Sequence, residues 1–328
     1  MTETDSVGRS GPEEKSNSDS QLSQGHLPLV GKQSILVGGA TGYLGKFICI
    51  AAAKRGLHVR ALVRSAGRLG SASDSCAEEF VGQATEIETL VGMCDGIDYV
   101  VTALGNRTFK RKPSPFLVDR DANLNILKVA EAAAVKRFLF VSAFNGEITR
   151  KRVPQIEARE QAVEVVVQSD LDWTIIRPNG FFNDMTEFLD MAKKGKVRVV
   201  GNPENRFNPI HGADLAEFII DKLLDPAAVG SQYPVGGPES LSQREVGELC
   251  FEALGKSGQI KSMPGWMLRS IAAVIKPFNA NLGSFLALIS GIADGDNIAP
   301  AAGTHRLADF FEDQVSSSDS KENLRANR

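Results

Sequence analysis

The sequence predicts an α/β fold, a doubly wound parallel sheet with a smaller C-terminal lobe. Short β-branched runs alternate with amphipathic helical segments, the first run leads through a glycine turn directly into a helix, and prolines break this regularity only after Pro178. Alternation of this kind covers both faces of a parallel sheet, because every crossover has to pass over one face.

The elements follow in chain order. Residues 1–29 are rich in Ser, Gly and Glu, with too little apolar surface to offset the entropy of ordering, and are expected to form a disordered leader. The predicted strands are Ser34–Val37, Val59–Val63, Tyr99–Ala103, Arg137–Ser142 and Asp172–Ile176. A helix is predicted over Ala122–Val135, with Ala122, Ile126, Val129, Ala130 and Ala133 on one face. Beyond it Pro209, Pro226, Pro234 and Pro238 cut the chain into short pieces before a helix over Ser242–Leu254. Trp266–Ile292 is the most apolar stretch, but Arg269, Lys276 and Pro277 leave it short of the roughly 20 residues that span a bilayer. It reads as two packed helices. Met263, Trp266, Met267, Phe278, Phe285 and Leu288 there are either plain core or the lining of a groove for a large apolar ligand. Residues 313–328 have the composition of the leader and are expected to be a disordered tail.

Composition narrows the function. A net charge of −3 gives no basic footprint for nucleic acid. Cys49, Cys76, Cys94 and Cys250 are scattered without ligand spacing, as in a reduced protein without metal. With neither a signal-like apolar core nor an acid-poor leader at the N-terminus, the expected location is cytoplasmic; peripheral contact with a membrane is left open.

The strongest motif is SILVGGATGYLGKFICIAAAKRG, a strand, a glycine turn and a helix in succession. Gly39 permits the tight turn, Gly42 lets backbone approach a pyrophosphate, and Gly45 packs helix on strand, with Thr41, Tyr43 and Leu44 between them. The phosphates would sit at the positive helix end, in a Rossmann-type domain over residues 30–180. Residues 181–312 would form the C-terminal lobe, with some elements returning to the sheet. The next strand ends in Arg64, followed by Ser65 and Arg68, where NAD-binding chains place a carboxylate about 20 residues past the turn. A guanidinium there suits the 2′-phosphate of NADP(H), unless Arg64 is only a solvated strand-end charge. Ala103, Leu104 and Gly105 are expected beside adenine or ribose, and Ser142, Ala143 and Phe144 beside the nicotinamide, because the carboxyl ends of the strands line the crevice.

GGATGYLG, ALVRS, VKRFLFVSAFNG, LDWTIIRPNGFF and PIHGADLAEFI resemble the atypical, extended-type short-chain dehydrogenase/reductases with an NmrA-like fold. PVGGPESLSQREVGELCFEALGK and APAAGTHRLADFF are similar, more narrowly, to divinyl chlorophyllide 8-vinyl-reductases and their relatives. The resemblance implies NADP(H), a substrate lobe after Pro178, and Pro178, Asn179, Gly180 and Phe181 at the nicotinamide. It also implies that Asp214 helps to fix the lobe; the residues alone make Asp214 a helix N-terminal carboxylate.

Catalysis is where the chain departs from that pattern. Members that reduce carbonyls use a Tyr-x-x-x-Lys pair, yet the only tyrosines are Tyr43, Tyr99 and Tyr233, and the helix expected to carry the pair reads PQIEAREQAVEVVV. The family lysine falls on Arg159, which can polarise a carbonyl but cannot deliver a proton. Between Glu157 and Glu160, it reads equally as a solvated helix charge. Ser142, Glu157 and His211 are the remaining polar candidates, with His211 more simply read as lobe packing. The expected function is an NADP(H)-dependent reductase of an activated C=C or C=O bond in an apolar small molecule. The alternative is a non-catalytic NADP(H)-binding redox sensor or assembly factor.

Overall fold

A computed structural model describes residues 32–106, 112–279, 282–284, 286 and 295–326, with side chains as far as residue 318. The leader lies outside the described residues, as do Phe285 and Leu288.

Seven parallel strands form one sheet: β1 (Ser34–Gly38), β2 (His58–Val63), β3 (Glu78–Val81), β4 (Tyr99–Thr102), β5 (Arg137–Val141), β6 (Asp172–Pro178) and β9 (Ser231–Val235), in the order β3-β2-β1-β4-β5-β6-β9. The order reverses beside β1, which opens a ligand crevice at the carboxyl ends of β1 and β4. Side chains alternate between two cores, as a strand's period of two requires. Ile35, Val37, Leu139 and Val141 pack on one face with α1 (Tyr43–Lys54) and α6 (Gly212–Leu224). Leu36, Phe138 and Phe140 pack on the other with α2 (Ala122–Ala132) and α4 (Pro154–Val166). A four-residue helix, α3 (Gly146–Thr149), precedes α4.

The later part of the chain builds a third core. Leu189 and Ala192 of α5 (Thr186–Lys193), Val197 and Val199 of β7 (Lys196–Val200), and Val246 and Cys250 of α7 (Gln243–Ala253) meet there. β7 pairs with β11 (Gln259–Met263), and β8 (Arg206–Phe207) with β10 (Leu241–Ser242). Ser242 caps α7 in a reciprocal box with Glu245, which fixes the helix start predicted from the sequence. Helix α8 (Gly265–Ile275) follows, then α9 (Leu307–Ala326).

Four expectations change. β3 and β9 escape a reading by β-propensity: EEFV is polar and SQYPV carries Pro234, a combination tolerated because both strands lie at sheet edges. Helix α2 stops at Ala132, and Ala134 takes a left-handed φ of 51°, leaving Ala133 exposed. The tail expected to lack order is helical as far as Ala326, because Leu307, Phe310, Phe311 and Val315 anchor α9 on the third core and propagation then adds residues at little cost. Trp266, Met267 and Phe278 are exposed and so are not plain core; α8 packs instead through Leu268 and Ala272.

Candidate dinucleotide site

Strand β1 ends in a turn that only glycine forms easily. Gly39 has φ of 84°, and its carbonyl accepts the Gly42 N–H at 2.9 Å. A Cβ on Gly45 would overlap the Gly39 carbonyl, so the third glycine is what lets α1 start against the strand. Gly42 is the N-cap, no side chain caps the helix, and its first turn holds no acid. The first backbone acceptor inside the helix is the Gly42 carbonyl, bonded to Lys46 N. The N–H groups of Tyr43, Leu44 and Gly45 are therefore first-turn donors beside exposed Thr41 and Gly42. This is a cradle fitted to a pyrophosphate.

The predicted wall residues meet at the same end of the sheet. Gly39 lies against Ala103 and Leu104, close enough that a Cβ on it would stand 3.2 Å from their backbone. Arg159 ties that loop down. Its Nη2 donates to the Leu104 carbonyl at 3.1 Å, its Nη1 to the Val141 carbonyl at 2.7 Å, and its Nε pairs with Asp119 at 3.1 Å. Its side chain is 16% exposed, so it is not a solvated helix charge. Burial pushes the Asp119 carboxyl above its ordinary value, and Arg159 pulls the other way. Gly105 is packed directly on the Arg159 guanidinium.

Next to it the structure reveals a buried pair that the sequence reading missed. Arg177 Nη1 and Nη2 donate to Glu160 Oε1 and Oε2 at 2.7 and 2.9 Å, with Arg177 7% and Glu160 2% exposed. Ser142 donates its hydroxyl to Glu160 Oε1 at 3.0 Å, and Arg177 also reaches the Ala143 carbonyl and Gln232. The signal was available: an arginine inside the apolar run TIIRP must find an internal partner. Phe144 N donates to the Pro178 carbonyl at 3.0 Å, which joins the two segments expected at the nicotinamide.

Past Pro178 the chain is held by asparagines. Asn179 donates to Asn208 Oδ1 and the Asn297 carbonyl and accepts from Asn297 Nδ2, while Asn145 donates to Asn297 Oδ1. Asn179 is thus committed to joining the lobe to the sheet, while Gly180, at φ of 70°, stays exposed. Phe181 meets Tyr43 edge to face at 6.1 Å, so two residues predicted to flank the dinucleotide come together. The Tyr43 hydroxyl accepts the Gly212 N–H at 3.0 Å.

His211 caps α6 by accepting the Ala213 N–H, and its ring stacks on His305 at 4.2 Å. Asp214 takes the N–H groups of Thr304 and His305 and the His305 ring, which pins the segment leading into α9. Asp214 is therefore both a first-turn carboxylate and a lobe clamp. Burial, then His305, push the His211 imidazole below its usual value, against the pull of Asp214 and Asp313. A histidine harder to protonate when folded contributes its full stability above its unfolded value, about 6.5, and loses it as pH falls through the folded one. Thermal melts are expected to show stability falling from pH 7 to 5, and His211→Phe to flatten that slope. An identical slope in the variant would remove His211 as the cause.

Arg64, Ser65 and Arg68 are exposed beyond β2, in a loop whose Gly67 N–H is held by Glu79 at 2.8 Å. Among the described residues no carboxylate pairs with Arg64 or Arg68. Residues 39–226, which carry the cradle and every wall segment, match the profile of a family described as NAD(P)H-binding. The chain belongs to the NAD(P)H-binding family. The resemblance to divinyl chlorophyllide 8-vinyl-reductases is found again among its relatives. The chain is 28% identical over 252 residues to the divinyl chlorophyllide a 8-vinyl-reductase of Arabidopsis thaliana, covering 70% of this chain and 60% of that one. It thus spans less than two thirds of that relative. It is 26% identical over 247 residues to the photosystem II assembly factor Ycf39 of Trieres chinensis, covering 74% and 75%. The fold is shared with leucoanthocyanidin reductase of Vitis vinifera in its NADPH complex, with a TM-score of 0.69, 15% identity, and coverage of 86% and 99%. Of the three tyrosines, Tyr43 stands at the start of α1 beside Phe181. Tyr99 accepts from Gln33 at the amino end of β4, and Tyr233 lies on the edge strand under Lys222.

Proposed function

We propose that this chain is an NADPH-dependent reductase acting on an activated C=C or C=O bond of an apolar small molecule. The observation that carries the reading is the uncapped, acid-free start of α1 with Arg64 open at the end of the neighbouring strand. The first-turn N–H groups would hold the pyrophosphate, and Arg64, with Ser65 and Arg68, the 2′-phosphate. When bound, the dinucleotide supplies a hydride. Ser142 to Phe144 and Pro178 to Phe181 would border the nicotinamide and shield it from water. With no Tyr-x-x-x-Lys pair in PQIEAREQAVEVVV, a conjugated C=C bond suits the site best, since its second proton can come from water or a weak acid. The naming of the Arabidopsis relative as a vinyl-reductase favours the same bond.

A specific observation favours a second reading. The two residues nominated for catalysis, Arg159 and Ser142, spend their donors on Asp119, Glu160 and backbone carbonyls. An NADPH-binding sensor or assembly factor needs such anchoring and no proton donor, and one relative is named as an assembly factor.

Titration calorimetry with NADPH and NADH, followed by NADPH oxidation against conjugated apolar ketones and vinyl compounds, separates the two. Binding with consumption supports the reductase, and binding without consumption supports the sensor. Arg64→Asp is expected to weaken NADPH by about 100-fold, from loss of a charge-assisted pair plus repulsion, and NADH by less than about threefold. Equal losses on both would overturn the NADP(H) assignment.

A further inference from the structure

Helix α8 buries only one narrow side. Leu268 and Ala272 face the protein beside Val200, whereas Trp266 is 63% exposed, Val274 68% and Phe278, just past the helix end, 76%, with Met267 and Ile271 also exposed. Positions 267, 271, 274 and 278 follow helical spacing, so these side chains form one continuous apolar stripe. Single exposed apolar residues are ordinary on a protein surface, but a contiguous stripe ending in Phe278, with Trp266 exposed beside it, is not.

Charge around the stripe points to its occupant. Between Glu252 and Asp294 the sequence carries Lys256, Lys261, Arg269 and Lys276 and not one carboxylate, although acids outnumber bases 40 to 37 in the whole chain. Lys261 and Lys276 are exposed, Lys261 two residues before Met263, which packs with Leu268, and Lys276 on the flank of α8 between its buried side and Trp266. We propose that this face of α8 docks the protein on an anionic lipid bilayer, with the apolar stripe in the headgroup boundary and the basic side chains at the phosphates. Tryptophan at a helix end and lysines snorkelling from its flank are what such an interface favours. A second copy of the chain fits less well, because a two-fold contact through α8 would set its cations against each other. Among the described residues no helix is long and apolar enough to cross a membrane.

The test uses the full chain and vesicles of phosphatidylcholine, with and without phosphatidylglycerol. The only tryptophans are Trp173 and Trp266, so a Trp173→Phe background makes Trp266 the sole indole reporter. Co-sedimentation and a blue shift of Trp266 emission are expected with the anionic vesicles only. Val274→Ser/Phe278→Ser and, separately, Lys261→Gln/Lys276→Gln are each expected to lower partitioning by roughly tenfold or more. Unchanged melting temperature and NADPH affinity would keep folding and dinucleotide binding out of the result. No binding to anionic vesicles overturns the proposal, as does equal binding by the variants. Concentration-dependent dimerisation abolished by Phe278→Ser, with vesicles ignored, would also overturn it and assign the face to a second copy. None of these outcomes depends on catalysis.

Discussion

Gly42→Asp is expected to weaken NADPH and NADH together, by on the order of 1000-fold, while the melting temperature moves little. Gly42 is the N-cap of α1, and aspartate is among the preferred N-cap residues, so the helix gains a cap as the ligand loses its site. A Cβ there would stand 3.1 Å from the Gly39 carbonyl, tight but within a small adjustment. The new carboxylate would occupy the positive helix end and repel the pyrophosphate from the donors of Tyr43, Leu44 and Gly45. Calorimetric titration with both dinucleotides, beside a thermal melt, reads the two effects separately. Unchanged affinity in a folded variant would mean that the dinucleotide does not bind over this turn.

Glu160→Ala is expected to cost about 3–5 kcal/mol in stability, because it leaves the Arg177 guanidinium buried without its bidentate partner. Ser142 would lose its acceptor in the same step. The double variant Glu160→Leu/Arg177→Met should regain much of that loss, since replacing both charges removes the desolvation cost along with the pairing. Urea denaturation of the single and double variants tests this directly. A single-variant loss below about 1 kcal/mol would mean that water reaches the pair.

Both expectations concern the carboxyl ends of the strands, yet the two sets of residues were not equally visible beforehand. The glycine turn is a local event: Gly39 needs a positive φ and Gly45 needs to be small, and both requirements are met within seven residues. The alternation of strand and helix, the Ser242 to Glu245 cap and the period of two in β1 and β5 are local in the same sense. The class of fold and the glycine turn could therefore be read from the chain.

Arg159 and Glu160 are adjacent in PQIEAREQAVEVVV, where alternating charge suggests a wet helix face. In the folded protein one clamps Leu104 and Val141 and the other receives Arg177, so neighbouring charges serve different strands. Likewise Asn179 finds Asn208 and Asn297, 29 and 118 residues away, and β3 and β9 owe their place to strands that accept them at an edge. By itself the sequence determined the turn, the periodicities and the caps, because each depends on neighbours within a few positions. Which polar side chains are buried, with which partners, and which apolar helix face stays exposed were decided by the tertiary structure, because burial and pairing are properties of segments that meet only once the chain has folded.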